Sequence, residues 1–414
     1  MFNTTSKPND VIYIRIAIKQ QYPEMLQTKY PSLLNLSNFI SLPQYEAKFQ
    51  DGDVNPDQLF SLINSLKNHN DGNTDKPNEY NISTSLEYYL SIASYCKLII
   101  LHPHLNDLYL SLEDIFKVWE IRLNFLLMAT NLKPPKTTSV IPPIPNAKFL
   151  RNEVNLLLNE LIKIKSQKDD DGTATDNIDN MPSEVSWNFK VLINRIKNGS
   201  GLLLLNYYYN QLLKLRQAED KRKINVIMFS LSSLLLARQQ YLTLFNLLTQ
   251  FLDDSKSDSK DPESESFKQL RSNCSLIITL TGLLMLFKDN SSVDENSIYF
   301  KDIKSNFQKV NKQSLNQLID VLSKVAPIHT TNLSKSNTTT TLKISDLNDL
   351  GEVIKLVQEL KITGRIACSL CAEFEMGLLF KQNENDETVE SFDDSLDVIG
   401  NEWKKTINNY YAYE

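Results

Sequence analysis

Apolar residues recur at intervals of three and four along most of this chain, which is the spacing of one face of an α-helix. The pattern is strong over three stretches of the first half, and it predicts helices over 85–101, 112–132 and 149–165. His102-Pro103 ends the first of these stretches, because proline cannot continue a helical hydrogen-bond ladder. The first half of the chain is therefore expected to be mainly helical.

From Trp187 onward, the predicted helices come in pairs joined by brief polar turns. The predicted spans are 188–205 with 207–216, 226–237 with 241–252, 267–287 with 297–305, and then 312–325, 347–360 and 365–380. Such pairs are the unit of helical solenoids, where each pair buries its apolar face on its neighbours. The expected fold class is all-α: an antiparallel helix-pair (TPR-like) right-handed α-solenoid after an irregular helical N-terminal region.

Polar and proline-rich stretches divide the chain into five predicted segments. They are an irregular, partly helical N-terminal segment over 1–82, a helical region over 83–166, a disordered acidic linker over 167–186, the solenoid over 187–380, and an acidic C-terminal tail with a short helix over 381–414. Residues 133–145 carry five prolines and predict an extended connector. Residues 253–266 form an acidic spacer, and residues 11–18 fit either a short strand or a helix start.

The composition narrows the class of protein. Only 10 of the 414 residues are glycine, whereas sheet-based nucleotide enzymes use glycine for tight turns and phosphate loops. The net charge is −6, and the single basic triplet, Lys221-Arg222-Lys223, is interpreted as solvating a turn, so no nucleic-acid partner is expected. The longest apolar run, residues 276–287, is shorter than the roughly 20 residues that span a bilayer. Residues 1–10 lack the pattern of a signal peptide, and a cytoplasmic location without membrane insertion is expected.

Candidate chemistry is sparse. Cys368 and Cys371 form a CxxC pair, but a structural zinc site needs two more ligands, so both are predicted to be core cysteines. The four histidines, among them His102 and His104, have no nucleophile or carboxylate pattern around them. Gly199-Ser-Gly201 lacks the lysine of a phosphate loop and is predicted to let a neighbouring helix approach. We therefore expect no catalytic, cofactor-binding or metal-binding residues, and no cofactor.

Tyr207, Tyr208 and Tyr209 are three large rings in succession, and they cannot all face the core of one helix. At least one is expected to be exposed or to cover the adjacent helix pair. Exposed aromatic residues are enriched at protein interfaces. Tyr207 and Tyr208, together with Arg238 and Gln239, are therefore the candidate partner-binding surface.

Several segments resemble one known family. The segment Trp187–Tyr208, with its tryptophan-led helix, small-residue break and leucine run, resembles the first tetratricopeptide repeat in subunit 12 of the transport protein particle (TRAPP) complex. Val118–Leu127 resembles the Trp-x-x-Arg-Leu-x-x-Leu helix of that family, and Pro143–Leu161 is similar to the linker and helix that follow it. Ser336–Leu360 and Ile366–Met376 are similar to its last repeat and closing helix.

This resemblance covers roughly residues 112–380. It implies a subunit of a vesicle-tethering complex that activates a Rab-type GTPase in ER-to-Golgi and Golgi traffic, or in autophagy. Its partners would be other subunits of the complex, and it would reach Golgi and ER membranes peripherally, through those partners. The inner groove of the solenoid would hold a partner's helix or extended segment.

Two other functions stay open. The chain could be a scaffold subunit of a proteasome-lid or signalosome type of assembly, whose subunits end in a winged helix with β-strands. It could also be an all-helical enzyme, which would need carboxylates converging from several helices.

Overall fold

The computed structural model describes thirteen stretches of the chain. They are residues 39–49, 54–71, 82–102, 110–131, 147–166, 181–182, 184–199, 201–257, 264–289, 298–325, 349–360, 363–380 and 389–410. The predictions for residues 11–18 and 133–145, and for His104, lie outside the described residues.

The described residues form α-helices and one 3-10 turn, Ala47–Phe49, and contain no β-strand. The helices are α1 Pro43–Glu46, α2 Pro56–Asp71, α3 Ile82–Ile100, α4 Leu112–Asn131, α5 Ala147–Ser166, α6 Trp187–Asn198, α7 Leu202–Gln217, α8 Lys221–Ala237, α9 Tyr241–Ser257, α10 Glu265–Asp289, α11 Ile298–Phe307, α12 Lys312–Val325, α13 Leu350–Leu360, α14 Thr363–Leu379 and α15 Phe392–Tyr410. The all-α class is therefore confirmed. Most predicted helices begin and end within a few residues of the observed bounds.

The chain divides into two compact units. Unit 1 comprises Met1–Leu204 and Phe380–Trp403, and unit 2 comprises Leu205–Leu379 and Lys404–Glu414. One division falls inside α7 and the other inside α15. Each unit has its own buried core and is described separately.

The centre of unit 1 is α4. Every side chain from Val118 to Ala129 is buried, because α3, α5 and α6 all pack against this helix. Helices α1 and α2 pack in turn on α3. A helix covered on several sides must be apolar nearly all round. The polar side chains of α4, among them Glu120, Arg122 and Asn124, are held by hydrogen bonds inside this core.

The C-terminal helix α15 also belongs to the core of unit 1 up to Trp403. Its Trp403 Nε1 donates to Asn124 Oδ1 on α4 at 2.8 Å, and Tyr89 Oη on α3 donates to Glu402 Oε2 at 2.6 Å. Both hydrogen bonds are buried. The short helix predicted in an acidic tail over 381–414 is thus a 19-residue helix with a packed apolar face.

The centre of unit 2 is α14. Every side chain from Ile366 to Met376 is buried, and the helix packs on α8, α10 and α12. The Phe374 ring lies 5.3 Å from the Phe229 ring of α8, and Cys368 Sγ lies 3.6 Å from the carbonyl oxygen of Ser233, 135 residues away in sequence. Helix α14, near the end of unit 2, therefore packs along α8, the first helix that lies wholly within this unit.

Tandem order, which a solenoid requires, is only partly present in unit 2. Successive helices contact each other from α8 through α11, as expected for stacked pairs. However, α14 lies against α8, α10 and α12, so a later helix of the same chain covers the side of these helices that a solenoid would leave open. The structure thus confirms the helical class and not the solenoid arrangement.

Two helix ends in unit 2 share one turn geometry. Glu219 after α7 and Gln239 after α8 both have φ 55°, in the left-handed region, without being glycine. In each turn the next residue donates its N–H to a carbonyl five residues back: Asp220 to Leu215 and Gln240 to Leu235. This motif satisfies the last carbonyls of a helix, and it lets the following helix begin almost at once.

The basic triplet after the first of these turns does more than solvate it. Arg222 Nε and Nη2 donate to the carbonyl oxygen of Leu378 at 2.9 and 2.7 Å. Lys223 Nζ lies 2.8 Å from Asp220 Oδ2. A guanidinium at the last carbonyls of a helix stabilises the negative end of its dipole, so Arg222 caps α14.

Two predictions near α6 are corrected by the structure. Gly199 ends α6 with φ 56°, so Gly199-Ser-Gly201 breaks the helix predicted over 188–205 instead of lying within it. The end of the linker predicted as disordered over 167–186 is ordered: Met181 and Val185 are buried, and Ser186 caps α6. Buried apolar side chains and a cap require a fixed backbone.

Candidate interaction surfaces

The three consecutive tyrosines of α7 differ in exposure. Tyr208 is buried, with 1% of its surface exposed, while Tyr207 and Tyr209 are half-buried. The rings of Tyr207 and Tyr208 lie 5.8 Å apart. Tyr208 is therefore a core side chain, and of the two predicted contact tyrosines Tyr207 has more surface to offer a partner.

Arg238 and Gln239 lie in the turn between α8 and α9. Gln239 is exposed and Arg238 is half-buried. Gln239 is the residue in the left-handed conformation, and its N–H donates to the carbonyl of Leu236 at 2.9 Å. The turn geometry holds the Gln239 backbone in place and leaves its side chain exposed.

The largest exposed apolar side chains of unit 2 were not among the predicted residues. Within the described part of this unit they are Leu213 on α7, Leu242 on α9 and Tyr299 on α11, exposed by 62, 50 and 43%. Leu213 shares a face of α7 with Tyr209 and Asn206, at helical spacings of four and three. A leucine on a helix face that also carries asparagine and tyrosine is less typical of a core position, and this was the sequence signal that could have indicated the exposure of Leu213.

Helix α9 contacts both α7 and α11. Arg216 Nη2 at the end of α7 lies 3.5 Å from Asp254 Oδ2 near the end of α9. The Tyr299 ring of α11 packs edge-on against the Phe245 ring of α9, with centroids 6.1 Å apart. Phe245 follows Leu242 by three residues, so Tyr299 packs against α9 about one helical turn from Leu242. The three helices are the second members of the predicted pairs, and one side-chain contact joins α9 to each of the other two.

Cys368 and Cys371 are core residues, as predicted, and the other two cysteines lie in the core as well. Cys96, Cys274, Cys368 and Cys371 are all free and buried. Burial raises the pKa of the Cys96 and Cys274 thiols to about 12, and it raises the pKa of Cys368 and Cys371 as well. A thiol that stays protonated at neutral pH is a poor nucleophile and a poor metal ligand.

Metal-binding geometry is absent from the residues that the structure describes: no three His, Cys, Asp or Glu side chains converge on one point there. His102 lies just past the end of α3, where the sequence predicted a helix-end loop. The predicted absence of catalytic and cofactor-binding residues remains a prediction.

A segment of unit 1 that the sequence did not single out is held by buried charges. This segment, Phe39–Phe49, is called the strap; it comprises an irregular start, α1 and the 3-10 turn. The Ile40 N–H donates to Glu153 Oε2 on α5 at 2.7 Å, and the Ile40 carbonyl accepts from Arg122 Nη2 on α4 at 3.3 Å. Arg122 and Glu153 also pair directly at 2.7 Å, with side chains 0 and 1% exposed.

Another buried carboxyl connects α4 with α6. Ser186 Oγ donates to Glu120 Oε2 at 3.0 Å and accepts from the Phe189 N–H at the same distance, so one hydroxyl joins the carboxyl to the helix cap. Burial raises the pKa of Glu120 to about 7, against smaller lowering effects of Ser186 and Lys117. Glu120 is therefore a carboxyl that titrates near neutral pH inside the core.

One described helix segment, Glu265–Phe287, is long and apolar enough to cross a membrane by length and composition alone. Of its most apolar window, 67% is buried inside the protein. The core helix of a globular protein meets the same two criteria.

Searches among known protein families, curated protein sequences and solved structures found no match to this chain.

Proposed function

We propose that this chain is a non-catalytic scaffold subunit of a TRAPP-type vesicle-tethering complex, which activates a Rab-type GTPase in ER-to-Golgi and Golgi traffic. Its partners would be other subunits of that complex, and it would associate with Golgi and ER membranes peripherally, through them. The type of complex is proposed from the resemblance of Trp187–Tyr208 and the other segments within 112–380. The scaffold role has separate support from unit 2.

The observation that carries the scaffold role is that α7, α9 and α11 each expose a large apolar side chain; these side chains are called the apolar layer. Leu213, Leu242 and Tyr299 are large apolar side chains with 43 to 62% of their surface in water. Large apolar side chains exposed on helices that contact one another are typical of protein–protein contact sites. Aromatic residues such as Tyr299 often dominate the binding energy of such a site.

A TPR-like arrangement is proposed for α7–α11. In this arrangement α8 and α10 are the first helices of successive pairs, and α7, α9 and α11 are second helices. Contacts between α7 and α9 and between α9 and α11 support it. Since α14 covers α8 and α10, the partner would bind the layer of second helices instead of the inner groove. Tyr207, Arg238 and Gln239 would flank that layer.

The experiment is affinity purification of the tagged full chain, with mass spectrometry of the proteins that co-purify. We compare the wild type with the double variant Leu213→Glu, Leu242→Glu, which places two charges in the apolar layer. Gln217→Glu with Gln250→Glu is the matched control, because it adds the same charges at exposed polar positions of the same helices. Circular dichroism checks that all three proteins fold.

TRAPP subunits should co-purify with the wild type and the control, and at least tenfold less with the double variant. Recovery of the same subunits with the double variant would show that the apolar layer is not the contact surface. Recovery of proteasome-lid or signalosome subunits instead would favour the alternative scaffold. Turnover of any substrate in a hydrolase panel would contradict the non-catalytic role.

A further inference from the structure

The contacts that hold the strap of unit 1 are of the kind that hold a bound peptide in a protein groove. Glu153 accepts the N–H of Ile40 while Arg122 donates to its carbonyl oxygen. Both atoms belong to the backbone, so this pair of hydrogen bonds would hold any residue at the position. Because Arg122 Nε also pairs with Glu153 and Arg122 Nη1 donates to the carbonyl of Ala93, contacts outside the strap orient the two charged side chains.

Side-chain contacts add specificity to this backbone recognition. The Phe39 ring stacks on Trp119 with centroids 4.7 Å apart, and the Arg122 guanidinium lies over the Phe39 ring at 5.4 Å from its centroid. Leu42 and Tyr45, each three residues further along, are also buried. An aromatic, an aliphatic and an aromatic residue at spacings of three therefore define what this groove accepts.

The strap also neutralises a buried cation. Lys97 on α3 has 3% of its side chain exposed, and its Nζ lies 2.9 Å from Glu46 Oε1 of the strap. The same Glu46 oxygen accepts the N–H of Leu42 at 2.7 Å. A buried ammonium without an anion is costly, so the groove requires an acid in its occupant.

We propose that the groove formed by α3, α4 and α5 is a peptide-binding site that the strap occupies in cis. A partner protein occupies it in trans with a segment of the same chemistry: an aromatic residue, a leucine three residues later, a tyrosine three further, and then an acid. The strap competes as a tethered ligand, whose effective concentration is of the order of millimolar for a short tether. This site lies in unit 1, whereas the proposed scaffold surface lies in unit 2.

The test measures binding of a labelled peptide with the sequence of Phe39–Phe49 to the full chain by fluorescence anisotropy. The wild-type chain, whose own strap competes, should bind the peptide weakly. The Phe39→Ala chain has a weakened strap and an unaltered groove, and it should bind at least tenfold more tightly. Lys48→Ala is the control, because Lys48 is an exposed strap residue that pairs with exposed Glu87, and it should behave as the wild type.

The decisive probe is the same peptide with the amide nitrogen of Ile40 methylated. It keeps every side chain and loses the N–H that Glu153 accepts, so its affinity for the Phe39→Ala chain should fall at least tenfold. Equal binding of the two peptides, or equal binding by the wild-type and Phe39→Ala chains, overturns the proposal.

Two further readouts keep the test conclusive. If Phe39→Ala lowers the melting temperature, the unmethylated peptide should restore it; no restoration counts against the site. If the wild-type chain forms a concentration-dependent dimer that Phe39→Ala abolishes, the trans occupant is a second copy of this chain, and the proposal of a different partner protein is wrong.

Discussion

Buried charged side chains in unit 1 are each held by groups from another element of the fold. Arg122 of α4 pairs with Glu153 of α5, and Glu120 of α4 accepts from the Ser186 cap of α6. These contacts tie neighbouring helices together at defined positions. The contact between Glu120 and Ser186 responds to pH, because burial raises the pKa of Glu120 into the physiological range.

Glu120→Gln should remove a pH dependence from the stability of unit 1. The pKa of Glu120 is about 7 in the folded protein, above the ordinary glutamate value of 4.5, so the folded state holds the proton more strongly. The contribution of protonated Glu120 to the free energy of unfolding is complete below about pH 4.5. It is lost as pH rises through 7, by about 3 kcal/mol in total. Glutamine keeps the acceptor for Ser186 and never ionises, so the variant should be more stable than the wild type at pH 8.

The measurement is urea unfolding from pH 5 to pH 8.5, followed by tryptophan fluorescence. All three tryptophans, Trp119, Trp187 and Trp403, belong to unit 1. Ser186→Ala is the matched variant: it keeps the carboxyl and removes a donor that lowers its pKa, so its pH dependence should persist. A Glu120→Gln profile parallel to that of the wild type would contradict the assignment.

Helix packing in unit 2 depends on one close approach. A Cβ on Gly282 of α10 would lie 2.5 Å from Ile303 Cγ1 of α11 and 3.3 Å from Phe245 Cε2 of α9. No larger side chain fits at that distance. Gly282 therefore allows α9, α10 and α11 to come together, whereas Gly199 serves to end a helix.

Gly282→Ala should destabilise unit 2 by about 1–3 kcal/mol, the usual cost of overpacking a core. The free energy of unfolding is measured by denaturant titration with circular dichroism. Gly351→Ala on α13 is the control: its Cβ would meet only the end of the Asp349 side chain, so alanine should be neutral or slightly stabilising.

Ile303→Ala should cost less stability in the Gly282→Ala background than in the wild type. Additive effects would mean that the two side chains do not collide.

At the scale of the whole molecule, the two units have separate cores, one around α4 and one around α14. Cooperative unfolding units often coincide with such compact substructures. The tryptophans report on one unit only, while circular dichroism at 222 nm reports on the helices of both.

Gly282→Ala should therefore lower the urea midpoint of the transition seen by circular dichroism. The midpoint of the transition seen by tryptophan fluorescence should be the same as in the wild type. The reason is that the substitution alters contacts only within unit 2. Both transitions are recorded in one urea titration. If the two signals move together by the same amount, the units unfold as one, and the separation of their stabilities is wrong.

Much of the candidate surface could not be predicted from the sequence. Tyr207 and Gln239 were predicted and have exposed surface, but Tyr208 was also predicted and is buried. Leu213 and Leu242 were missed because a leucine at helical spacing normally faces the core. The strap was missed as well, since its anchors on α4 and α5 lie 82 and 113 residues away in sequence.

By itself the sequence determined that the protein is helical and where most helices lie, because helix formation depends on residues three and four apart and on local caps and breakers. Lys312–Val325 was predicted to the residue. Only the tertiary structure decided that α14 packs along α8 and that α15 joins the core of unit 1. Periodicity tells which face of a helix must be covered, but the partner that covers it is selected by shape and hydrogen bonding between distant residues.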